Sequence, residues 1–111
     1  MRTATTVELS GAADEVADVA AFAVEAEKLG ADVCWVAEAW GADAASALSY
    51  LAARTDHMLL GSGVLQAGTR SPVLLARTAI TLSNLSGGRF LLGLGASGPQ
   101  VIEGLHGVAF G

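Results

Sequence analysis

The stretch Gly87-Gly88-Arg89-Phe90-Leu91-Leu92-Gly93-Leu94-Gly95-Ala96-Ser97-Gly98-Pro99-Gln100 decides how this chain is read. A short apolar strand over residues 90–94 runs straight into a glycine-rich turn, and Pro99 stands where a following helix would begin. Strand, turn and helix start make a surface on which backbone N–H groups face a ligand. Working back from it, the same unit recurs. Residues 3–8, rich in β-branched side chains, predict a first strand. Residues 14–29 predict a helix: Val16, Val19, Ala20, Ala23 and Ala26 fall at helical spacing, Phe22 and Leu29 widen the stripe, and Gly30 stops it. Residues 32–37 predict a second strand and 43–53 a short helix burying Leu48 and Leu51. A third strand covers 58–65, broken by Gly61 and Gly63. Ser71-Pro72 opens the next helix as cap and first residue, with Val73, Leu74, Ala76, Ile80 and Leu82 expected on its core face.

The repeat is about one strand–helix unit per 30 residues, the period of parallel strands joined by crossover helices. No linker divides the chain, so 1–111 is read as a single α/β domain of parallel βα repeats. Two architectures share that period: an open doubly wound sheet, and the first half, about four strands, of a (β/α)8 barrel, which needs about 250 residues when whole.

Composition narrows the function. Hydrophobic residues make up 52% of the chain and charged ones 15%, and the mean hydropathy is +0.52. Such a chain buries strands on both faces. A net charge of −5 with scattered Lys and Arg leaves no basic stripe for nucleic acid. The single cysteine, Cys34, lies in an apolar run and is expected to be a core thiol in a reducing cytoplasm. No apolar run approaches the roughly 18 residues of a membrane span, and no export signal is apparent at the start of the chain.

Four places hold candidate chemistry. Gly93-Leu94-Gly95-Ala96-Ser97-Gly98 has the G-x-G-x-x-G spacing between a strand and a helix, open to three readings: a dinucleotide loop, a tight turn, or a cofactor-lining loop of another fold. The glycines of Gly61-Ser62-Gly63 mark either a packing bulge or the close approach of a ligand. Glu38 ends the second strand, where parallel α/β folds bind ligands, with Trp35 and Trp40 close in sequence. His106 lies past the last strand, and His57 falls at the opposite end of the array. No metal-ligand spacing is present, and Ser97 is not in a G-x-S-x-G elbow because Pro99 takes the last glycine's place.

At residues 23–32, Trp35-Val36-Ala37-Glu38, 59–64, 70–78 and 82–98, continuing to Val108, the sequence resembles the bacterial luciferase-like monooxygenase superfamily. Within it the resemblance is to the branch using the deazaflavin coenzyme F-420, with FMN as the alternative. It implies a (β/α)8 barrel, of which this chain is the N-terminal portion, carrying the cofactor at the carboxyl mouth of the strands. It further implies a non-proline cis peptide at Gly63–Val64 pressing on the ring, a cofactor-lining loop at Gly95, Ser97 and Gly98, and Glu38 as the candidate catalytic residue, contacting the ring or the hydride-transfer region. Some members carry a Glu in the loop after the fourth strand and a His after the acidic residue. Here those places hold Gly98 or Pro99 and Ala39, so sugar-phosphate dehydrogenase chemistry is not implied. A small organic substrate is expected, together with a homo-oligomer or a second half-barrel chain, because a lone half-barrel leaves strand edges and an apolar face uncovered. A non-catalytic truncated fragment and a nicotinamide-binding module are the competing readings.

Overall fold

The computed structural model describes residues 1–111. Strands β1 (Ala4–Val7), β2 (Val33–Val36), β3 (Leu59–Ser62), β4 (Leu65–Gln66), β5 (Phe90–Leu91) and β6 (Leu94–Gly95) are interleaved with helices α1 (Glu15–Lys28), α2 (Ala44–Arg54), α3 (Pro72–Leu85) and the short α4 (Pro99–Ile102). One parallel sheet has the order β1-β2-β3-β5, and β4 pairs in parallel with β6. The pair β4–β6 continues β3 and β5 toward their carboxyl ends. These are therefore four strands of a (β/α)8 barrel, two of them broken in mid-course.

The break in the third strand falls at Gly63, within the strand expected to be broken there, whereas the break between Leu91 and Leu94 corrects the expectation of one continuous strand over residues 90–94. Gly61 pairs with Leu91, but Leu65 pairs with Leu94. Four steps on one strand oppose three on the other, which is a bulge of one residue. The Gly63–Val64 peptide inside it is cis. Ser62 stitches the gap in the fourth strand: its Oγ accepts from Gly93 N at 2.9 Å and donates to Gly93 O at 2.8 Å.

Register explains the two-sided burial. Thr5, Cys34, Leu60 and Phe90 form one row across the sheet, and Thr6, Trp35, Gly61 and Leu91 the next. The pleat turns the first row toward the helices, where Cys34 and Leu60 join Val36, Leu48, Leu51 and Met58 in the core. There burial pushes the Cys34 thiol up to about 11, the inert state of a core cysteine. The second row faces the barrel interior. A side chain at Gly61 would come within 2.3 Å of the Trp35 ring, so the glycine is required by the tryptophan lying across it.

Ser71 caps α3 as its sequence signal predicts, accepting Leu74 N at 3.1 Å, and the structure adds Asp43 as the cap of α2, accepting Ser46 N at 2.9 Å. The face of α3 does not match. Leu82 is buried and Leu75 packs on the core, whereas Val73, Leu74 and Ile80 are exposed and Ala76 lies outward with them. Val73, Leu74 and Ile80 flank the exposed stripe of Arg77, Thr81 and Asn84, so the polar residues rather than the apolar ones mark which side meets the sheet.

At the amino ends of the strands two charged side chains fasten main chain. Glu27, 7% exposed, accepts the N–H groups of Asp56, His57 and Met58, the last at 2.7 Å. Arg89 donates to the carbonyls of Ala52, Thr55, Met58 and Ser86 and to the Thr55 hydroxyl. No helix is long and apolar enough to cross a membrane.

Candidate functional site

The carboxyl ends of the strands gather most of the candidate residues. Glu38 lies two residues beyond β2, and the Gly63–Val64 bulge lies between β3 and β4. Gly95 ends β6, and Ser97 and Gly98 lead into α4. Gly63 is exposed and Val64 half-buried, while the flanking Ser62, Leu65 and Gln66 are buried. The bulge is thus a backbone step raised from an otherwise buried strand. Val64 packs on Gly95: a Cβ at Gly95 would stand 2.4 Å from Val64 Cγ2. Gly95 is therefore needed by Val64, and its G-x-G spacing has a packing cause. Beyond it, Ala96 and Ser97 are exposed, and Ser97 holds φ 59°, a left-handed conformation uncommon outside glycine.

Glu38 is paired rather than free. Its Oε1 accepts Arg70 Nη1 at 2.6 Å and Gln66 N at 3.1 Å, and its Oε2 accepts Arg70 Nη2 and Ala44 N, both at 2.8 Å. Arg70 Nη2 also reaches Asp43 Oδ1 at 2.6 Å. The side chains of Glu38 and Arg70 are 8% and 11% exposed. Burial works to raise the Glu38 carboxyl, but the bonds from Arg70, Ala44 and Gln66 outweigh it and hold the group below the usual carboxylate range. Asp43 is lowered too, its burial outweighed by Ser46 and Arg70. Arg70 is raised by its bonds to Glu38, against its own burial. Where the sequence reading placed a ligand-facing acid, the structure places an ionised carboxylate engaged by four donors, with neither a spare proton nor a free face.

Arg70, Gln66 and Ser62 were not singled out from the sequence. Their partners lie 27 to 32 residues away, and no local pattern encodes such a separation. Gln66 Nε2 donates to the carbonyls of Glu38 and Ala39, while its Oε1 is buried without a partner.

Three hollows open at this end, one of them of about 330 Å³ among Glu8, Ser10, Trp40 and Gly41. Another of about 170 Å³ is bordered by Glu38, Asp43, Thr69, Arg70 and His106. The third, of about 400 Å³, lies among Ala67, Gly68, Ala96, Ile102 and Phe110. His57 is at the amino end, its side chain 74% exposed beside Glu27. A mainly apolar hollow of about 270 Å³ among Val16, Val19, Tyr50 and Leu51 belongs to the outer helical layer and contains none of the candidate residues. A raised, side-chain-free step at Gly63, an apolar shoulder at Val64 and the open 96–97 turn fit one face of a flat ring.

The whole sequence, residues 1–111, matches the family described as luciferase-like monooxygenase, and the chain belongs to that family. It is 48% identical over 85 residues to a Mycobacterium tuberculosis protein named as a coenzyme F420-dependent oxidoreductase, covering 77% of this chain and 24% of that protein. It is 37% identical over 83 residues to the 5,10-methylenetetrahydromethanopterin reductase of Methanolobus tindarius, covering 74% of this chain and 26% of the reductase. The oxygenating constituent of 3,6-diketocamphane monooxygenase from Pseudomonas putida, solved with FMN, superposes with a TM-score of 0.84 at 21% identity, over 96% of this chain and 32% of that one. The chain spans about a quarter of the length of the curated relatives it matches.

Proposed function

We propose that this chain supplies the coenzyme-facing strand ends of an oxidoreductase that passes a hydride between coenzyme F-420 and a small organic substrate. The observation that carries the reading is the exposed Gly63–Val64 step, set between the Trp35 row and the 95–98 loop. Bound there, the deazaflavin would supply the redox chemistry, and the protein supplies placement and dryness.

Each residue's part follows from its surroundings. Gly63 has no side chain to hold a ring away, and Val64, braced on Gly95, offers an apolar shoulder. Ser97 and Gly98 line the edge, with the Ser97 hydroxyl free for a polar contact. The interior-facing Leu91, 36% exposed, and its exposed neighbours Leu92 and Leu94 exclude water once covered. Those side chains support assembly as a homo-oligomer or with a second half-barrel chain. Glu38 orients rather than reacts: held ionised, it fixes the strand end beside the ring. A cytoplasmic setting accords with the reduced, buried Cys34.

Fluorescence titration of the chain with coenzyme F-420, alongside FMN and NAD, tests the reading. Saturable binding of F-420 at least about tenfold tighter than FMN is expected, about 1.4 kcal/mol, and Val64→Arg should abolish it. Tighter binding of FMN would transfer the reading to the flavin-dependent members of the family. Binding of NAD alone would overturn it.

A further inference from the structure

The bulge has to be held. Ser62 ties it to the fourth strand and Gln66 Nε2 to the carbonyls of Glu38 and Ala39, and one further support runs through a side chain outside the ring surface. On the β2 side, Gly63 N donates to Val36 O at 2.8 Å, and the next tie on the far side of the bulge is Gln66 N to Glu38 Oε1 at 3.1 Å. These two ties straddle the one-residue excess that the pairing with the fourth strand shows. A regular ladder would give Gln66 N–H a backbone carbonyl; after the bulge it takes a carboxylate oxygen instead. That carboxylate can serve as a ladder partner only in one orientation. A glutamate two residues past its strand has three torsions free unless something fixes them.

We infer that Arg70 is a positioning residue: its fork fixes the Glu38 carboxylate as the surrogate ladder partner of Gln66, and so sets the height of the Gly63–Val64 step. The fork is bidentate, at 2.6 and 2.8 Å, and the same guanidinium is anchored to the α2 cap through Asp43. Ala44 N holds the second carboxylate oxygen from the helix side. Helix α2, the end of β2 and the strand beyond the bulge are thereby tied at one point. A planar fork does this and a lysine does not, because one ammonium cannot hold both oxygens and Asp43 in a fixed geometry. The role in ring binding rests on the function proposed above; the role in holding the bulge does not.

Amide hydrogen exchange of the 111-residue chain, followed by NMR, separates the two. In Arg70→Met, exchange at Gly63 and Gln66 should accelerate at least tenfold, while Cys34 and Leu60 in the core and Met58 at the amino end keep their wild-type rates. Arg70→Lys should recover less than half of the lost protection. A uniform rise at all these amides would mean that Arg70 serves global stability only, and wild-type protection at Gln66 would overturn the inference outright. In parallel, the affinity for coenzyme F-420 should fall at least tenfold in Arg70→Met. An unchanged affinity with local loss of protection would refute the link between step height and ring binding. Absence of F-420 binding in the wild type would refute the functional reading while the exchange result still decides the clamp.

Discussion

The two ends of the strand array use buried charge differently. At the amino end, Glu27 and Arg89 bind main-chain groups almost exclusively, closing off the N–H donors of 56–58 and the carbonyls that end α2 and α3. At the carboxyl end, Arg70 binds Glu38 and Asp43, which also accept the N–H groups of Gln66, Ala44 and Ser46, and the strand they reach beyond Gly63 is irregular. Charge that terminates regular elements is a stability device, because an orphaned buried donor or acceptor costs about 1–3 kcal/mol. Charge that holds a strand one residue out of register stabilises a shape. The difference separates the stabilising end from the end proposed as the working one.

The amino end should give the largest stability losses. Arg89→Met strips partners from four carbonyls and a hydroxyl at once and should cost about 3 kcal/mol or more in urea denaturation. A loss below about 1 kcal/mol would show that water replaces these bonds and would break the contrast. Next comes the bulge. Gly95→Ala drives a methyl group into Val64 and should cost about 2 kcal/mol while weakening ring binding, whereas at Gly98 the added methyl meets only the movable Gln100 side chain, at 3.0 Å, and should cost less than about 0.5 kcal/mol. Equal effects at the two glycines would show that Val64 is not braced as described.

Acid should weaken both ends. Glu27, Glu38 and Asp43 are all held below their ordinary values, Glu27 because N–H bonds from Met58, His57 and Asp56 outweigh its burial. The folded state therefore binds fewer protons than the unfolded chain. The stabilisation is complete above about pH 5 and is lost as pH falls through about 4 toward the lowered folded values. Glu38→Gln should flatten that slope in denaturation midpoints taken between about pH 3 and 6; an unaltered slope would show that the carboxylate is not held as an ion. The smallest effect is at Ser97, where glycine relieves the left-handed backbone at some cost in chain entropy, for a net gain of about 0.5 kcal/mol in thermal melts.

The order of elements was legible because most carry a local signal: Ser71 as a cap, Gly30 as a stop, and β-branched or continuously apolar runs as strands. The carboxyl end was legible only in part. Gly61, Gly63 and Gly95 announced close approaches, but whether a ligand or the protein itself comes close depends on Trp35 and Val64, which sit on other strands or beyond the turn. The pairing of Glu38 with Arg70 joins groups 32 residues apart. Val73 and Ile80 lie outward on α3 because they flank the exposed stripe of Arg77, Thr81 and Asn84, which a count of apolar spacing alone passes over.

The most direct test maps coenzyme F-420 onto the chain by amide chemical-shift changes. Shifts concentrated at Gly63, Val64, Ala96 and Ser97, with His57, Met58 and Arg89 unmoved, are the predicted result. Shifts centred on the amino end, or saturable binding that leaves Gly63 and Val64 unmoved, would contradict the assignment of the bulge as the ring-facing surface.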